Sequence, residues 1–324
     1  MRFTQFTPGV DGRSPCVGAS VSSRTPRRRA FRYVLLALLL FTLPSAAHAK
    51  LKVVATLPDL GAIVHAIGGE HIQLTTLLKS QDPHFADGKP SFLVHLRQAD
   101  LLVVNGMSLE SSWLTPLMSN ARNARITAGS PGYLDASARV RKRQVGQTDR
   151  AMGDIHPAGN PHYLTDPREV LTVAADIGQR LARLDPAHAK DYLNRTRAFR
   201  LAVFRYAKRE RHRFMKLPAA KRRVVSYHRS MTYLANWLGL QIVAEIEPKP
   251  GVPPTPSHVA RLVTRMKASA VKAIVQMVYY PRGVTKKLAK LTGATPVYVG
   301  LSKATTYLGR MKSMTQALYS LLAK

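Results

Sequence analysis

Cysteine is almost absent from this sequence, since Cys16 is the only one in 324 residues. A single thiol excludes an internal disulfide and the Cys-rich zinc sites of small metal-stapled domains. Cys16 also precedes the processing site predicted below. We therefore expect an exported protein with no thiol and no cysteine to which a lipid could be attached.

Acidic residues are scarce as well. Lys and Arg total 49 against 18 Asp and Glu, which gives a formal net charge of +31. Such a surplus attracts polyanions such as nucleic acid, anionic lipid headgroups or acidic cell-wall polymers. The basic residues are scattered, no aromatic-interleaved basic motif appears, and export is predicted. We therefore expect a basic, solvated surface and no nucleic-acid partner.

The sequence has no apolar run long enough to span a bilayer. Residues 26–49 read PRRRAFRYVLLALLLFTLPSAAHA, in which four Arg precede the short apolar run Tyr33–Leu43 and the small-x-small end Ala47–Ala49. A basic start, an apolar core and a small-residue end make up a secretory signal peptide. The pattern predicts cleavage after Ala49 and a soluble periplasmic protein. Residues 50–324 would keep +25, that is, +31 less the +6 of residues 1–49.

Short β-rich runs alternate with helical patterns along the rest of the chain. This order predicts an α/β fold of two lobes, each a mainly parallel sheet covered by helices. Residues 187–215 contain neither Gly nor Pro, and their apolar residues recur at helical spacing, which predicts one long helix joining the lobes. The predicted boundaries are 50–184 for the first lobe, 185–216 for the linking helix and 217–324 for the second lobe. Residues 128–160 are expected to form loops.

Three of the eleven histidines lie beside the ends of predicted strands or helices. His84 follows a strand in QDPH, His162 precedes a helix start in GNPH, and His228 ends a strand in SYH. Ligand sites of open α/β sheets collect at the carboxyl ends of strands, and neutral imidazole suits zinc and similar ions. Spacing alone is weak evidence, however, and on composition three unrelated loop histidines would be the simpler interpretation.

The sequence motifs around these histidines favour a common site. Residues 51–110, together with GNPHYLTDP and VVSYHRSMTYLANWLGL, resemble the cluster A-I metal ABC transporter solute-binding proteins, the zinc and manganese periplasmic receptors. The resemblance covers nearly all of residues 51–324 in the right order. It implies two α/β lobes joined by a long helix, with the ion bound between them by His84, His162 and His228. It also implies a membrane permease that receives the ion.

The fourth ligand of the family departs from its usual form here. Many members have an Asp near the end of a later strand, whereas this sequence reads QMVYYPR at residues 276–282, with Tyr280 closest to that position. A phenol with a pKa of about 10 is a poor ligand unless the metal lowers that pKa. His156, six residues before His162, and water are the other candidates. The His- and acid-rich loop of zinc members is also replaced by the basic RVRKRQVGQTDR.

Two other functions fit part of the sequence. Three histidines with an open fourth position also describe a catalytic zinc site, so a zinc-dependent hydrolase is the first alternative. No H-E-x-x-H word is present, and Asp82 and Asp166 precede Pro as turn or helix-cap residues do. A basic surface adhesin rests on charge alone. The sequence therefore favours a monomeric receptor, not an enzyme, for Zn²⁺, with Mn²⁺ as the alternative because three imidazoles suit a harder ion poorly.

Overall fold

The structure is a computed structural model that describes residues 49–146, 156–249, 251–300 and 304–324, together with Cys16 and Gly18. The chain divides into two compact units, Met1–Ala49 and Lys50–Lys324, and the fold below is that of the second unit. The predicted signal sequence up to residue 48 lies outside the described residues, apart from Cys16 and Gly18. Among the described helices, none combines the length and the apolar character needed to cross a membrane.

The first sheet has four parallel strands in the order β2-β1-β3-β4. Its strands and the helices that alternate with them are β1 Leu51–Ala55, α1 Pro58–Gly68, β2 Ile72–Thr76, α2 Pro90–Gln98, β3 Leu101–Val104, α3 Ser111–Ala121 and β4 Tyr133–Asp135. Both α1 and α2 begin at a proline, whose fixed φ suits the first turn of a helix. Every residue of β3 is buried, as expected for an inner strand with helices on both faces.

The second sheet repeats this arrangement, with four parallel strands in the order β6-β5-β7-β8. Its elements are β5 Arg223–Ser226, α6 Thr232–Leu238, β6 Gln241–Glu245, α7 Pro256–Ala268, β7 Ala273–Met277, α8 Gly283–Thr292 and β8 Thr295–Val299. In both sheets the first strand of the lobe is an inner strand, so the polypeptide that leaves its carboxyl end lies at the middle of the sheet edge. This position places the residues after β5 where a ligand site is expected.

Two long helices connect the sheets, α4 Pro167–Leu184 and α5 Ala189–Met215. The side chain of Asp166 accepts the backbone N–H of Arg168 and caps α4, as its position before Pro167 predicts. The 27 residues of α5 make a rod about 40 Å long. The prediction of two parallel-sheet lobes and one long helix is confirmed.

The two lobes share one apolar core. The largest cluster of buried residues includes Val53 and Val103 of the first sheet, and Val224 and Val275 of the second. The last helix, α9 Tyr307–Leu322, belongs to the same cluster, and the Tyr307 hydroxyl donates to the Leu164 carbonyl of the other lobe. The lobes are therefore held together by packing as well as by α5.

Two expectations need correction. Residues 128–160 were expected to be loops, yet Tyr133–Asp135 forms β4 and pairs with β3. Only Leu134 of the three residues is buried, so the sequence shows no alternation of apolar and polar residues that would predict a strand. The strand forms through its backbone pairing with β3. The sequence also predicts a closing helix over Lys312–Leu322, whereas α9 begins five residues earlier, at Tyr307, because the Thr306 side chain accepts the Gly309 N–H as an N-cap. The lobe boundaries themselves stay predictions.

Candidate metal centre

The structure brings His84, His162 and His228 together. The ring centroids are 5.2 Å apart for His84 and His162, 5.7 Å for His84 and His228, and 5.4 Å for His162 and His228. One nitrogen of each ring lies within 4.8 Å of the others, and these are the only three residues that meet this condition as a group in the described part of the chain. Zinc held at 2.0–2.1 Å by tetrahedral imidazoles would require N···N distances of about 3.4 Å. The rings therefore need only a small inward movement to bind an ion.

All three side chains are buried where the lobes meet. His84 is 6% exposed, His162 8% and His228 6%. A buried, unpaired charge is costly, so such a cluster is tolerated only if the rings are neutral or share a cation. Burial indeed holds the pKa of His162 well below its usual range, with the neighbouring rings of His84, His228 and His156 adding to the effect.

His84 and His162 are held by the same local motif, an Asx residue, a proline and then the histidine. Asp82 Oδ1 accepts the backbone N–H of His84 at 3.0 Å and bonds its ring Nδ1 at 2.7 Å. Asn160 Oδ1 does the same for His162, at 3.0 Å and 2.8 Å. The side chain two residues earlier thus closes a turn and sets the ring orientation in one step. In both residues this leaves Nε2 as the nitrogen suited to a metal.

The tautomer of His162 follows from the contacts of Asn160. The amide nitrogen of Asn160 donates to Gln144 Oε1 at 2.7 Å and to the Arg229 carbonyl at 2.9 Å. Its oxygen must therefore face His162, and only a protonated Nδ1 can donate to it. Nε2 of His162 then carries the lone pair, and this buried nitrogen has no hydrogen-bond partner among the described residues. A buried lone pair without a donor is what a metal ligand requires.

His228 is oriented by a residue from a neighbouring strand connection. Glu247, just after β6, bonds Nδ1 of His228 at 2.7 Å, and the Glu247 side chain is 11% exposed. A carboxylate behind a histidine raises the basicity of the far nitrogen and fixes the ring. Each of the three rings therefore has its outer nitrogen bonded to a side-chain oxygen. Asp82 and Glu247 also supply two carboxylates that can offset the charge of a bound dication.

The two protein candidates for the fourth position lie near different rings of the cluster. The ring centroids are 5.3 Å apart for His156 and His84, and 5.5 Å apart for Tyr280 and His228. Tyr280 is 7% exposed and stacks on Tyr227 with ring centroids 4.8 Å apart. Burial raises the pKa of Tyr280 well above its usual value, which disfavours the phenolate needed for ligation.

A cavity of about 250 Å³ lies directly beside the histidine cluster. Its lining includes His84, His228, Glu247 and Tyr280, and Phe85 stands at its rim with 69% of its surface exposed. The cavity borders the rings of His84 and His228 and the carboxylates of Asp82 and Glu247.

The sequence predictions missed the three residues that orient the rings. Asp82 was interpreted as a turn residue, which it is, but its bond to the ring was not foreseen. The repeated Asx-Pro-His word in Asp82–His84 and Asn160–His162 was the available signal. Glu247 has no such signal, because it is 19 residues from His228 and meets it through the pairing of β5 with β6.

Two parallel-sheet lobes with a buried ligand cluster where they meet define the class of solute-binding proteins. Residues 53–321 match the family described as zinc-uptake complex component A periplasmic, and the chain belongs to this family. The family consists of solute-binding proteins of metal transport and not of enzymes, so the hydrolase interpretation is set aside and the prediction of a non-enzyme is confirmed.

Similar proteins point to the same class. The manganese ABC transporter substrate-binding lipoprotein PsaA of Streptococcus anginosus is 25% identical over 230 residues, 69% of this chain and 71% of its own length. The metal ABC transporter substrate-binding lipoprotein FimA of Streptococcus parasanguinis is 26% identical over 261 residues, 78% and 80% of the two chains.

Solved structures share the fold. A crystal structure of ZnuA matches with a TM-score of 0.72 at 20% identity, over 85% of this chain and all of that one. A Cd-bound periplasmic metal binding protein from candidatus liberibacter asiaticus matches with a TM-score of 0.70 at 20% identity, over the same 85% and all of its own chain.

Proposed function

We propose that this protein captures Zn²⁺ in the periplasm and delivers it to the permease of an ABC importer. The observation that carries the proposal is the convergence of His84, His162 and His228, each with its outer nitrogen bonded to a side-chain oxygen. Membership of a metal-transport family supports it. The export signal predicted in residues 1–49, with cleavage after Ala49, supports the periplasmic location.

The donor set favours zinc over manganese. Three neutral imidazoles suit zinc, whereas Mn²⁺ prefers the oxygens of carboxylates and water. Asp82 and Glu247 face the outer nitrogens of the rings rather than the centre, so they provide charge without providing first ligands. Several relatives are named for manganese, which makes the choice of ion a question for measurement.

We assign the fourth position to His156 in preference to Tyr280. An imidazole offers a lone pair without losing a proton, whereas burial keeps Tyr280 protonated. Both ring nitrogens of His156 are buried, and its ring is already close to that of His84. His156→Ala should therefore lower zinc affinity more than Tyr280→Phe, measured by calorimetry on both variants. Equal losses, or a larger loss for Tyr280→Phe, would reverse the assignment.

Metal content and affinity of the purified protein test the proposed function directly. His84→Ala, His162→Ala and His228→Ala should each abolish tight zinc binding, because each removes an imidazole whose nitrogen lies at the centre of the cluster. His65→Ala is the matched control, since His65 is an exposed histidine on α1 and should leave binding unchanged. Unchanged metal content in all three site variants would refute the site. Tighter binding of Mn²⁺ than Zn²⁺ by the unmodified protein would refute the choice of ion.

A further inference from the structure

The outward side of α5 carries a surface that the metal site does not use. The buried side of this helix is formed by Tyr192, Val203, Tyr206 and Phe214. Seven residues on the opposite side, which we call the outer face of α5, are all exposed: Leu193, Arg197, Arg200, Leu201, Phe204, Arg205 and Lys208. They recur at spacings of three and four, so they form a continuous stripe along the rod.

The outer face combines large apolar side chains with positive charge. Leu193 is 46% exposed, Leu201 47% and Phe204 52%, which is unusual for three side chains of this size on one helix face. The sequence from Tyr192 to Arg209 contains no acidic residue. All charged residues in this stretch of the helix are therefore basic.

The basic residues of this face have no ionic partner in the part of the chain that the structure describes. In the described residues, the carboxylate of Glu210 pairs with Arg209 and Arg213, while Arg197, Arg200, Arg205 and Lys208 pair with none. Positive charge alone would fit the basic, solvated surface expected from the composition, but it does not account for the large exposed apolar side chains between the charges. Four unpaired cations interleaved with Leu and Phe along about 23 Å, from Leu193 to Lys208, instead fit an extended anionic partner with an apolar layer beneath its charges.

We propose that the outer face of α5 docks on a membrane surface rich in anionic phospholipid. Arg and Lys contact the lipid phosphates, while Leu201 and Phe204 insert between the headgroups, as in other basic interfacial helices. A soluble acidic polymer would satisfy the charges but not the exposed apolar residues, and a second copy of this basic chain would repel it. The proposal is independent of the metal site and concerns where the receptor resides.

Vesicle co-sedimentation tests this docking. The purified protein is mixed either with vesicles of phosphatidylglycerol and phosphatidylcholine in equal parts or with vesicles of phosphatidylcholine alone. We expect binding to the anionic vesicles only, weakening as salt is raised because surface charges are screened. The combined variant Arg197→Gln, Arg200→Gln, Arg205→Gln and Lys208→Gln should bind at least about tenfold more weakly.

A control variant separates this face from net charge. Lys267→Gln, Lys286→Gln, Lys287→Gln and Lys290→Gln remove the same charge from exposed positions on α7 and α8 and should retain most of the binding. Equal losses in the two variants would overturn the proposal in favour of general charge attraction.

A second variant tests the apolar residues. Leu201→Ser with Phe204→Ser should weaken vesicle binding while leaving attraction to soluble polyglutamate unchanged. If the variant bound vesicles as well as the unmodified protein does, the proposal would be overturned in favour of a soluble polyanion. If the unmodified protein sedimented as a dimer and the variant as a monomer, it would be overturned in favour of self-association. Unchanged zinc affinity in every variant is expected, since α5 lies outside the metal centre.

Discussion

Asn160 determines which nitrogen of His162 is available to an ion. Its oxygen holds Nδ1 of His162 while its amide nitrogen is fixed by Gln144 and the Arg229 carbonyl. We expect Asn160→Ala to lower zinc affinity about 10- to 100-fold, as loss of an outer partner commonly does. Titration calorimetry measures the change. Asn120→Ala, which removes an exposed amide from α3, should have no effect, and an equally small effect of Asn160→Ala would exclude the orienting role.

Glu247 and Glu245 provide a matched pair two residues apart. Glu247 bonds the ring of His228, whereas the Glu245 carboxylate lies 3.7 Å from the Arg229 side chain and, among the described residues, bonds none of the three site histidines. Glu247→Ala should weaken zinc binding about tenfold or more, and Glu247→Gln should recover part of it because its amide oxygen can accept the Nδ1 proton. Glu245→Gln should be close to neutral. A larger loss for Glu245→Gln than for Glu247→Ala would contradict this role of Glu247.

Glu110 is a buried acid that ties the first sheet to the site. It accepts the Thr56 hydroxyl at 2.6 Å and the Asn105 N–H at 2.5 Å, and Asn105 in turn donates to the carbonyl of Pro161, next to His162. Burial raises the pKa of Glu110 to about 7.

The raised pKa of Glu110 has a defined consequence for stability. Because the folded-state pKa is above the unfolded one, its contribution is fully present below about pH 4.5 and is lost as pH rises through about 7, at most about 3 kcal/mol. Glu110→Gln should remove this slope. Urea unfolding at about pH 5 and pH 8 compares the two proteins, and parallel pH dependences would show that Glu110 does not titrate in this way.

At the scale of elements, α4 and α5 approach closely at one glycine. A Cβ atom added at Gly178 on α4 would lie only 2.0 Å from the Thr196 hydroxyl oxygen of α5. Gly178→Ala should therefore destabilise the protein, by roughly 1–3 kcal/mol, because the helices must move apart. Thermal or urea unfolding measures the loss.

Gly283 at the start of α8 is the matched control. An added Cβ there meets nothing within 4 Å, so Gly283→Ala should be neutral or stabilise by about 0.4–1 kcal/mol through reduced freedom of the unfolded chain. If Gly178→Ala and Gly283→Ala changed the free energy of unfolding in the same direction, the close contact between α4 and α5 would not be the reason for glycine at position 178.

The elements show what the sequence could and could not predict. Helices with strong local signals begin where those signals stand: α2 begins at Pro90, and α4 begins at Pro167, directly after its capping residue Asp166. Strand β4 was missed because three residues with one buried side chain carry no period. The sequence motifs around the three histidines predicted that they lie together. The contact between Glu247 and His228 instead depends on the pairing of β5 with β6, which the residues next to Glu247 in the sequence do not reveal.

At the scale of the whole molecule, several contacts cross between the lobes. The Tyr233 hydroxyl bonds the Arg141 carbonyl and the Arg143 N–H, both at 3.1 Å, and Asn160 donates to the Arg229 carbonyl at 2.9 Å. These contacts lie on the site side of a core that runs through both sheets. Opening the site widely would break them together with buried apolar contacts.

We therefore expect the metal-free and zinc-bound proteins to have nearly the same shape. Closure need only bring ring nitrogens now within 4.8 Å to the spacing that zinc requires, a change confined to side chains and the loops that carry them. Small-angle scattering should give superimposable profiles with and without zinc, while the melting temperature rises with zinc concentration by mass action. A zinc-dependent fall in the radius of gyration would contradict this and indicate a hinge between the lobes. In that case Tyr233→Phe, which removes the hydroxyl joining them, should enlarge the fall.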